Sequence, residues 1–347
     1  MNKRKIGIMT FHRADNLGAV LQAYALQSAM KENWNAEAEI IDYECPGVEG
    51  DKKRGNGLKG LLLQMYYYWK HRSVERFRKE HLILSEQCGA DTIRNVSEKY
   101  DAFVTGSDQV WNYECSGWDD AYFLDFVSEN QEKYSYAASI GNYRFAETEK
   151  PHVQQLLQGY SGISVREGSA QVELETLGTQ GIVQCPDPVV LLPMERWKEV
   201  MPGRRCRQPY VFVYLIQQDV NVMRSARAYA EAHHCKIISN KTSPEFILNG
   251  GPGDFLSWIC HAECVFTNSF HGTAFALMFD RPLAADVQLA NGGVNYRVQE
   301  MLKCADAMHC VISEENCAGN TPGARKALEQ MRTDALGYLA SVCMEKQ

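Results

Sequence analysis

Apolar and polar positions along this chain change period repeatedly, and the changes mark out its elements. Lys5 to Thr10 (KIGIMT) is short and almost continuously apolar, the pattern of a strand buried on both faces. Gly18 to Lys31 (GAVLQAYALQSAMK) switches to three- and four-residue spacing and predicts an amphipathic helix. Glu37 to Tyr43 (EAEIIDY) is a second strand. The chain therefore opens with a strand–helix–strand unit, the start of a doubly wound α/β domain. Cys45 to Lys59, rich in Gly, Lys and Asp, predicts a loop. Leu61 to Glu80 predicts a helix with aromatics on one side and Lys/Arg on the other. It is read as a surface helix, with a membrane-surface or partner contact as the alternative.

Tyr100 to Thr105, Lys133 to Ile140 and Gly162 to Val165 predict three more strands. The pattern breaks near Gln184 to Pro188, and Pro202-Gly203-Arg204-Arg205 reads as a linker before a fresh strand, Tyr210 to Ile216. The alternation then repeats: helix Val220 to His233, strand Lys236 to Ser239, helix Asp254 to His261, strand Cys264 to Asn268, helix Gly272 to Met278, strand Pro282 to Asp286. At 347 residues the chain exceeds the size at which one core usually stops growing, about 250–300 residues. The expected architecture is α/β, with two Rossmann-like domains facing across a cleft. Residues 1–203 form the first and 204–347 the second, whose terminal helix, Pro322 to Glu345, is expected to pack back across a domain.

Composition narrows the function classes. A net charge of −7 argues against a general nucleic-acid binder while allowing a local basic pocket for an anionic substrate. The 12 cysteines are scattered rather than framed, which fits reduced thiols in a cytosol. The basic N-terminus is followed by an apolar run that His12, Arg13 and Asp15 interrupt too soon for a secretory signal. No stretch approaches the roughly 20 apolar residues of a membrane span. The expectation is a cytoplasmic protein, at most peripheral at the inner face of the membrane. Dinucleotide, P-loop, zincin and hydrolase signatures are absent, and the Cys/His groupings match no common zinc spacing, so no metal and no cofactor are expected.

In parallel α/β sheets, ligands bind beyond the carboxyl ends of strands, so the residues there carry the most weight. After the first strand come His12 and Asn16. After the Phe103 strand come Ser107, Asp108, Gln109, Trp111 and Asn112, where a tight turn joins hydrogen-bonding groups and an aromatic face suited to a sugar ring or a phosphate. Ser139 and Gly141 end another strand. Arg166 ends the next, where its fork could grip a carboxylate or phosphate, or pair with Glu167. In the second half Asn268 and Ser269 are good N-caps, His271 falls in the first turn of a helix, and Gly272 follows. A helix N-terminus there favours an anion.

Taken in order, Gly7-Ile-Met-Thr-Phe-His-Arg-Ala-Asp-Asn-Leu-Gly-Ala-Val-Leu-Gln22, Thr105-Gly-Ser-Asp-Gln-Val-Trp-Asn112, Ser139-Ile-Gly141, Ser164-Val-Arg-Glu167, Asp187-Pro188 and Thr267-Asn-Ser-Phe-His-Gly272 resemble the polysaccharide pyruvyl transferase family over about residues 5 to 305. The resemblance implies a fold like the two-Rossmann-domain (GT-B) glycosyltransferases. It also implies transfer of pyruvate from phosphoenolpyruvate, a co-substrate, to a saccharide acceptor, lipid-linked or free, as a cyclic ketal in the biosynthesis of a surface polysaccharide such as a capsule or exopolysaccharide. On this basis Arg166 is expected to hold the phosphoenolpyruvate anion with Ser269 and Gly272, and His271 to be the catalytic acid. Asp108, or else His12, is expected to be the base, and His12, Asn16, Ser107, Gln109, Trp111 and Asn112 to line the acceptor side. Phe270 stands where many members carry a basic residue near that histidine, so Arg297 or Arg281 is expected to supply the charge. Two other classes remain open on the residues alone: a glycosyltransferase using a nucleotide-sugar donor, and a non-catalytic sugar-binding protein. Oligomerisation is likewise open.

Overall fold

The computed structural model describes residues 3–34, 36–49, 57–288, 294–313 and 318–344. The chain divides into two compact units, one comprising Met1–Arg54, Val74–Leu192 and Arg332–Gln347, the other Gly55–Ser73 and Pro193–Met331.

The first unit is built on five strands: β1 (Lys5–Met9), β2 (Glu37–Ile40), β3 (Ala102–Thr105), β4 (Glu132–Ser135) and β5 (Tyr160–Gly162). They lie in the order β2-β1-β3-β4-β5, every pair parallel. A small parallel pair, β6 (Ser164–Val165) and β7 (Val183–Gln184), accompanies them. Parallel strands need helical covers, and the helix Leu17–Trp34 supplies one. It is buried continuously from Leu17 to Gln27, so the predicted amphipathic helix is enclosed nearly all round. The apolar run from Lys133 onward stays a strand only to Ser135. Ala137 at φ 50° then turns the chain, although Tyr136, Ala137, Ala138 and Ile140 remain completely buried. Likewise Gly162 to Val165 contributes to two different sheets. The C-terminal helix, Ala324–Cys343, belongs to this unit from Arg332 on: Tyr338 Oη donates to the Ser135 carbonyl at 2.8 Å and Arg4 Nη1 to the Val342 carbonyl at 2.7 Å.

The second unit has four parallel strands: β8 (Tyr210–Tyr214), β9 (Lys236–Ser239), β10 (Cys264–Thr267) and β11 (Leu283–Ala285) in the order β11-β10-β8-β9. β8 and β10 are buried at every position, as central strands covered on both faces must be. The stretch predicted as a loop over Cys45 to Lys59 contains a short helix, Pro46–Glu49, and the start of the long helix Gly57–His81.

In each unit the chain winds outward in both directions from a central pair of strands, β1 and β3 in the first, β8 and β10 in the second. Crevices in doubly wound sheets open at such switch points, beyond the carboxyl ends of the strands. The loops carrying His12, Asp108 and His271 leave those strands directly.

Candidate functional site

At the first unit's switch point Thr10 ties three elements together. Its Oγ1 donates to the Ser107 carbonyl at 2.7 Å and accepts from Gln22 Nε2 at 2.8 Å. His12 is buried, with Nδ1 3.0 Å from the Thr10 carbonyl and Nε2 3.0 Å from Asp42 Oδ1. Both ring nitrogens are occupied, so His12 braces the loop and does not face an acceptor. Asp42 also accepts from Arg13 Nη1 at 2.8 Å and Arg78 Nη2 at 2.9 Å. Burial pushes its carboxyl up, but the hydrogen bonds and charges of His12 and Arg13 outweigh that and hold it at about 2. Asn16 is exposed and accepts from Gly18 N at 3.0 Å, which caps the first helix.

Asp108 sits at φ 80°, a left-handed backbone that side chains other than glycine rarely adopt. Its Oδ1 accepts from Gln109 N at 2.9 Å, and its carbonyl accepts from Ser139 N at 3.0 Å, which clips the β3 loop to the β4 loop. Gln109, half-buried, lies against Gly141, where a Cβ would come within 2.2 Å of Gln109 Oε1. Gln109 Oε1 accepts from Asn112 Nδ2 at 3.0 Å, and Asn112 Oδ1 caps the helix Tyr113–Ser116. Ser107 is wholly buried. Trp111 offers no face to a sugar, because its ring stacks on Phe123 at 5.4 Å in the core and its Nε1 donates to the Tyr122 carbonyl at 3.1 Å.

Arg166 anchors the same corner. Nη1 donates to Asp187 Oδ2 at 2.9 Å, Nη2 to Ser139 Oγ at 3.0 Å, and Nε lies 3.5 Å from Glu167 Oε2. Glu167 Oε1 in turn accepts from Ser139 Oγ at 2.7 Å and from the Ile140 and Gly141 amides at 3.0 Å. The guanidinium that the resemblance gives to the donor anion is thus engaged by two carboxylates and a hydroxyl. Five motif segments, from residues 7–22, 105–112, 139–141, 164–167 and 187–188, meet in this one network.

The sixth forms the second unit's switch point. Thr267 Oγ1 donates to the Tyr214 carbonyl at 2.6 Å and accepts from Ser269 N at 3.0 Å, and Ser269 Oγ caps Gly272 N at 3.3 Å. Gly272 is required here, since a Cβ would lie 2.5 Å from Thr267 Oγ1. His271 is the second residue of the helix Phe270–Met278, half-buried, its ring edge-on to Phe270 at 5.2 Å. Asn268 accepts from Ile216 N at 2.9 Å and its carbonyl accepts from Asn295 Nδ2 at 3.2 Å. Asn295 opens the helix Tyr296–Cys304, which brings Arg297 to this edge of the sheet. Arg281 precedes β11 and lies at the opposite, amino-terminal edge, so it cannot replace the charge absent at Phe270.

Two carboxylates missed by sequence reasoning join this edge. Asp219 follows β8 and caps the helix Val220–Ala232 through Asn221 N and Val222 N, both at 3.0 Å. Asp286 follows β11, and burial together with the neighbouring Asp219 lifts its carboxyl against the hydrogen bond from Gln288 N. The rule that selected His271, a polar residue just after a strand, would have selected Asp42, Asp219 and Asp286. Arg78, reaching Asp42 from a distant helix, has no local signal.

Two parallel doubly wound sheets, each with its polar loops at the switch point, define a two-unit Rossmann-like α/β protein. The family model for polysaccharide pyruvyl transferase matches residues 16–285. The chain belongs to that family. No curated protein matches it. Among solved structures, Anabaena HepE in complex with UDP-glucose is similar at 9% identity and a TM-score of 0.50, covering 97% of this chain and 99% of the other. The UDP-GlcNAc 2-epimerase of Methanocaldococcus jannaschii, in complex with UDP-GlcNAc and UDP, is similar at 14% identity and a TM-score of 0.47, covering 98% and 99%. At 9% identity the likeness to the HepE structure is one of fold alone.

Proposed function

We propose that the protein transfers pyruvate from phosphoenolpyruvate to two hydroxyls of a saccharide acceptor as a cyclic ketal, in the assembly of a surface polysaccharide. The observation that carries this reading is the family match over residues 16–285, a span that includes the loops of Asp108 and His271 beyond β3 and β10. In this reading His271 gives a proton to the methylene carbon, C3, and leaves an oxocarbenium-like centre at C2. A sugar hydroxyl oxygen bonds to C2 as its proton passes to a carboxylate, for which Asp108 is proposed. The C2–O bond to phosphate then breaks, and a second hydroxyl attacks C2, its proton leaving with the phosphate. Arg297 and the capped turn Ser269–Gly272 are the proposed contacts of the donor anion.

General acid catalysis is typically worth about 10² to 10⁴ in rate. His271→Ala is therefore expected to lower acceptor-dependent phosphate release from phosphoenolpyruvate by that factor. Unchanged release would overturn the assignment of His271. Calorimetry separates this reading from nucleotide-sugar chemistry, for which the UDP-glucose complex of the structural neighbour gives a specific comparison. Heat of binding with phosphoenolpyruvate supports pyruvyl transfer, and heat with UDP-glucose alone refutes it.

A further inference from the structure

Residues 52–79 hold nine Lys or Arg and one Glu, a net of +8 in a chain whose total is −7. Six of the nine cations lie on the single helix Gly57–His81, together with Glu75 and Glu80. The helix buries Val74, Phe77 and Arg78 on one side. On the other, Tyr68 is 56% and Trp69 53% exposed, and Arg72, Arg76 and Lys79 are exposed with them. At 3.6 residues per turn these five positions fall within an arc of about 100°.

The solvent face of a surface helix is ordinarily polar. Here it carries adjacent exposed Tyr and Trp, followed by Arg72, Arg76 and Lys79, the last of which pairs with Glu75 at 2.8 Å. Arg72 donates to Tyr68 Oη at 3.3 Å, with its guanidinium 5.8 Å from the ring centre, so the aromatic and cationic parts of the stripe pack together. Tyr and Trp rings partition to the headgroup level of a bilayer, and Lys and Arg beside them are drawn to anionic lipid. Among the described residues no helix is long and apolar enough to cross a membrane, so this face could lie only on a bilayer. A nucleic-acid contact would use the same cations, but a chain of net charge −7 is disfavoured as a general nucleic-acid binder.

We infer that the face Tyr68–Trp69–Arg72–Arg76–Lys79 docks the protein on an anionic membrane surface. The inference stands apart from pyruvyl transfer and is tested without it. The full chain is sedimented with vesicles of phosphatidylcholine alone or mixed equally with phosphatidylglycerol, at low and at high salt. Binding is expected to the mixed vesicles at low salt, weakening as salt rises. Arg72→Gln with Arg76→Gln removes two cations and is expected to lower partitioning roughly 30-fold. Arg72→Lys with Arg76→Lys is expected to retain it, and Trp69→Ala to weaken it while leaving its salt dependence. These side chains are exposed, so melting temperatures of the variants should match the parent and keep the readout interpretable. Failure of the parent to sediment with mixed vesicles, Gln variants that bind like it, or displacement from vesicles by a short DNA duplex would each overturn the inference.

Discussion

Arg166 Nη1 donates to Asp187 Oδ2 at 2.9 Å with 3% and 0% of the two side chains exposed. Breaking a buried pair by removing one partner costs about 3–5 kcal/mol, because an uncompensated charge stays behind. Arg166→Met leaves both Asp187 and Glu167 buried, so urea unfolding should show a loss of that size. Arg166→Met combined with Asp187→Leu should recover part of it. Were Arg166→Met to unfold like the parent yet lose phosphoenolpyruvate binding, the guanidinium would act on the ligand rather than on the frame.

Asp108 holds a left-handed φ of 80° that costs an L-residue roughly 1–2 kcal/mol, and Ser139 N clips it there. Strain of this kind persists where the surroundings over-determine it, commonly at functional sites. Asp108→Gly removes both the strain and the carboxylate. The variant is expected to melt at or above the parent temperature while ketal formation falls at least tenfold. Equal activity in the glycine variant would remove Asp108 from the chemistry and leave it a turn residue.

The sequence showed most where one local rule operates. β1, β8 and β10 read as continuous apolar runs because central parallel strands are buried on both faces. Ser269 reads as a cap because its side chain serves its own helix. Legibility failed where burial and backbone geometry part company: Tyr136 to Ile140 are buried but not a strand, and Trp111 looks like a sugar platform until Phe123 covers its face. It failed again for the partners of each site residue. That Arg166 is shared by Asp187, Ser139 and Glu167 follows from three loops meeting in space.

Gly272 offers a test of the second unit's loop. An added Cβ would sit 2.5 Å from Thr267 Oγ1, the atom that bonds both the Tyr214 carbonyl and Ser269 N. Gly272→Ala must therefore shift the turn that carries His271. Overpacking of this kind costs about 1–3 kcal/mol. Thermal unfolding should detect it, and kcat should fall while KM for phosphoenolpyruvate rises, since the same turn carries His271 and the proposed donor contacts. A variant with parental kcat would show that the turn tolerates the shift.

Asp42 gives a pH dependence with a definite sign. Its carboxyl is held at about 2 against an ordinary 3.8, chiefly because His12 and Arg13 outweigh the penalty of burial. A group depressed on folding stabilises the protein fully above its unfolded pKa and loses that stability as pH falls through the folded one. At about 1.4 kcal/mol per unit, the contribution is on the order of 2 kcal/mol, present above about pH 4 and lost toward pH 2. Asp42→Asn removes the titration and leaves Arg13 and Arg78 without their shared carboxylate. Urea unfolding at intervals from about pH 5 to pH 2.5 should therefore show the stability gap between parent and variant narrowing as pH falls. A gap constant across that window would mean that Asp42 is not held ionised by this cluster.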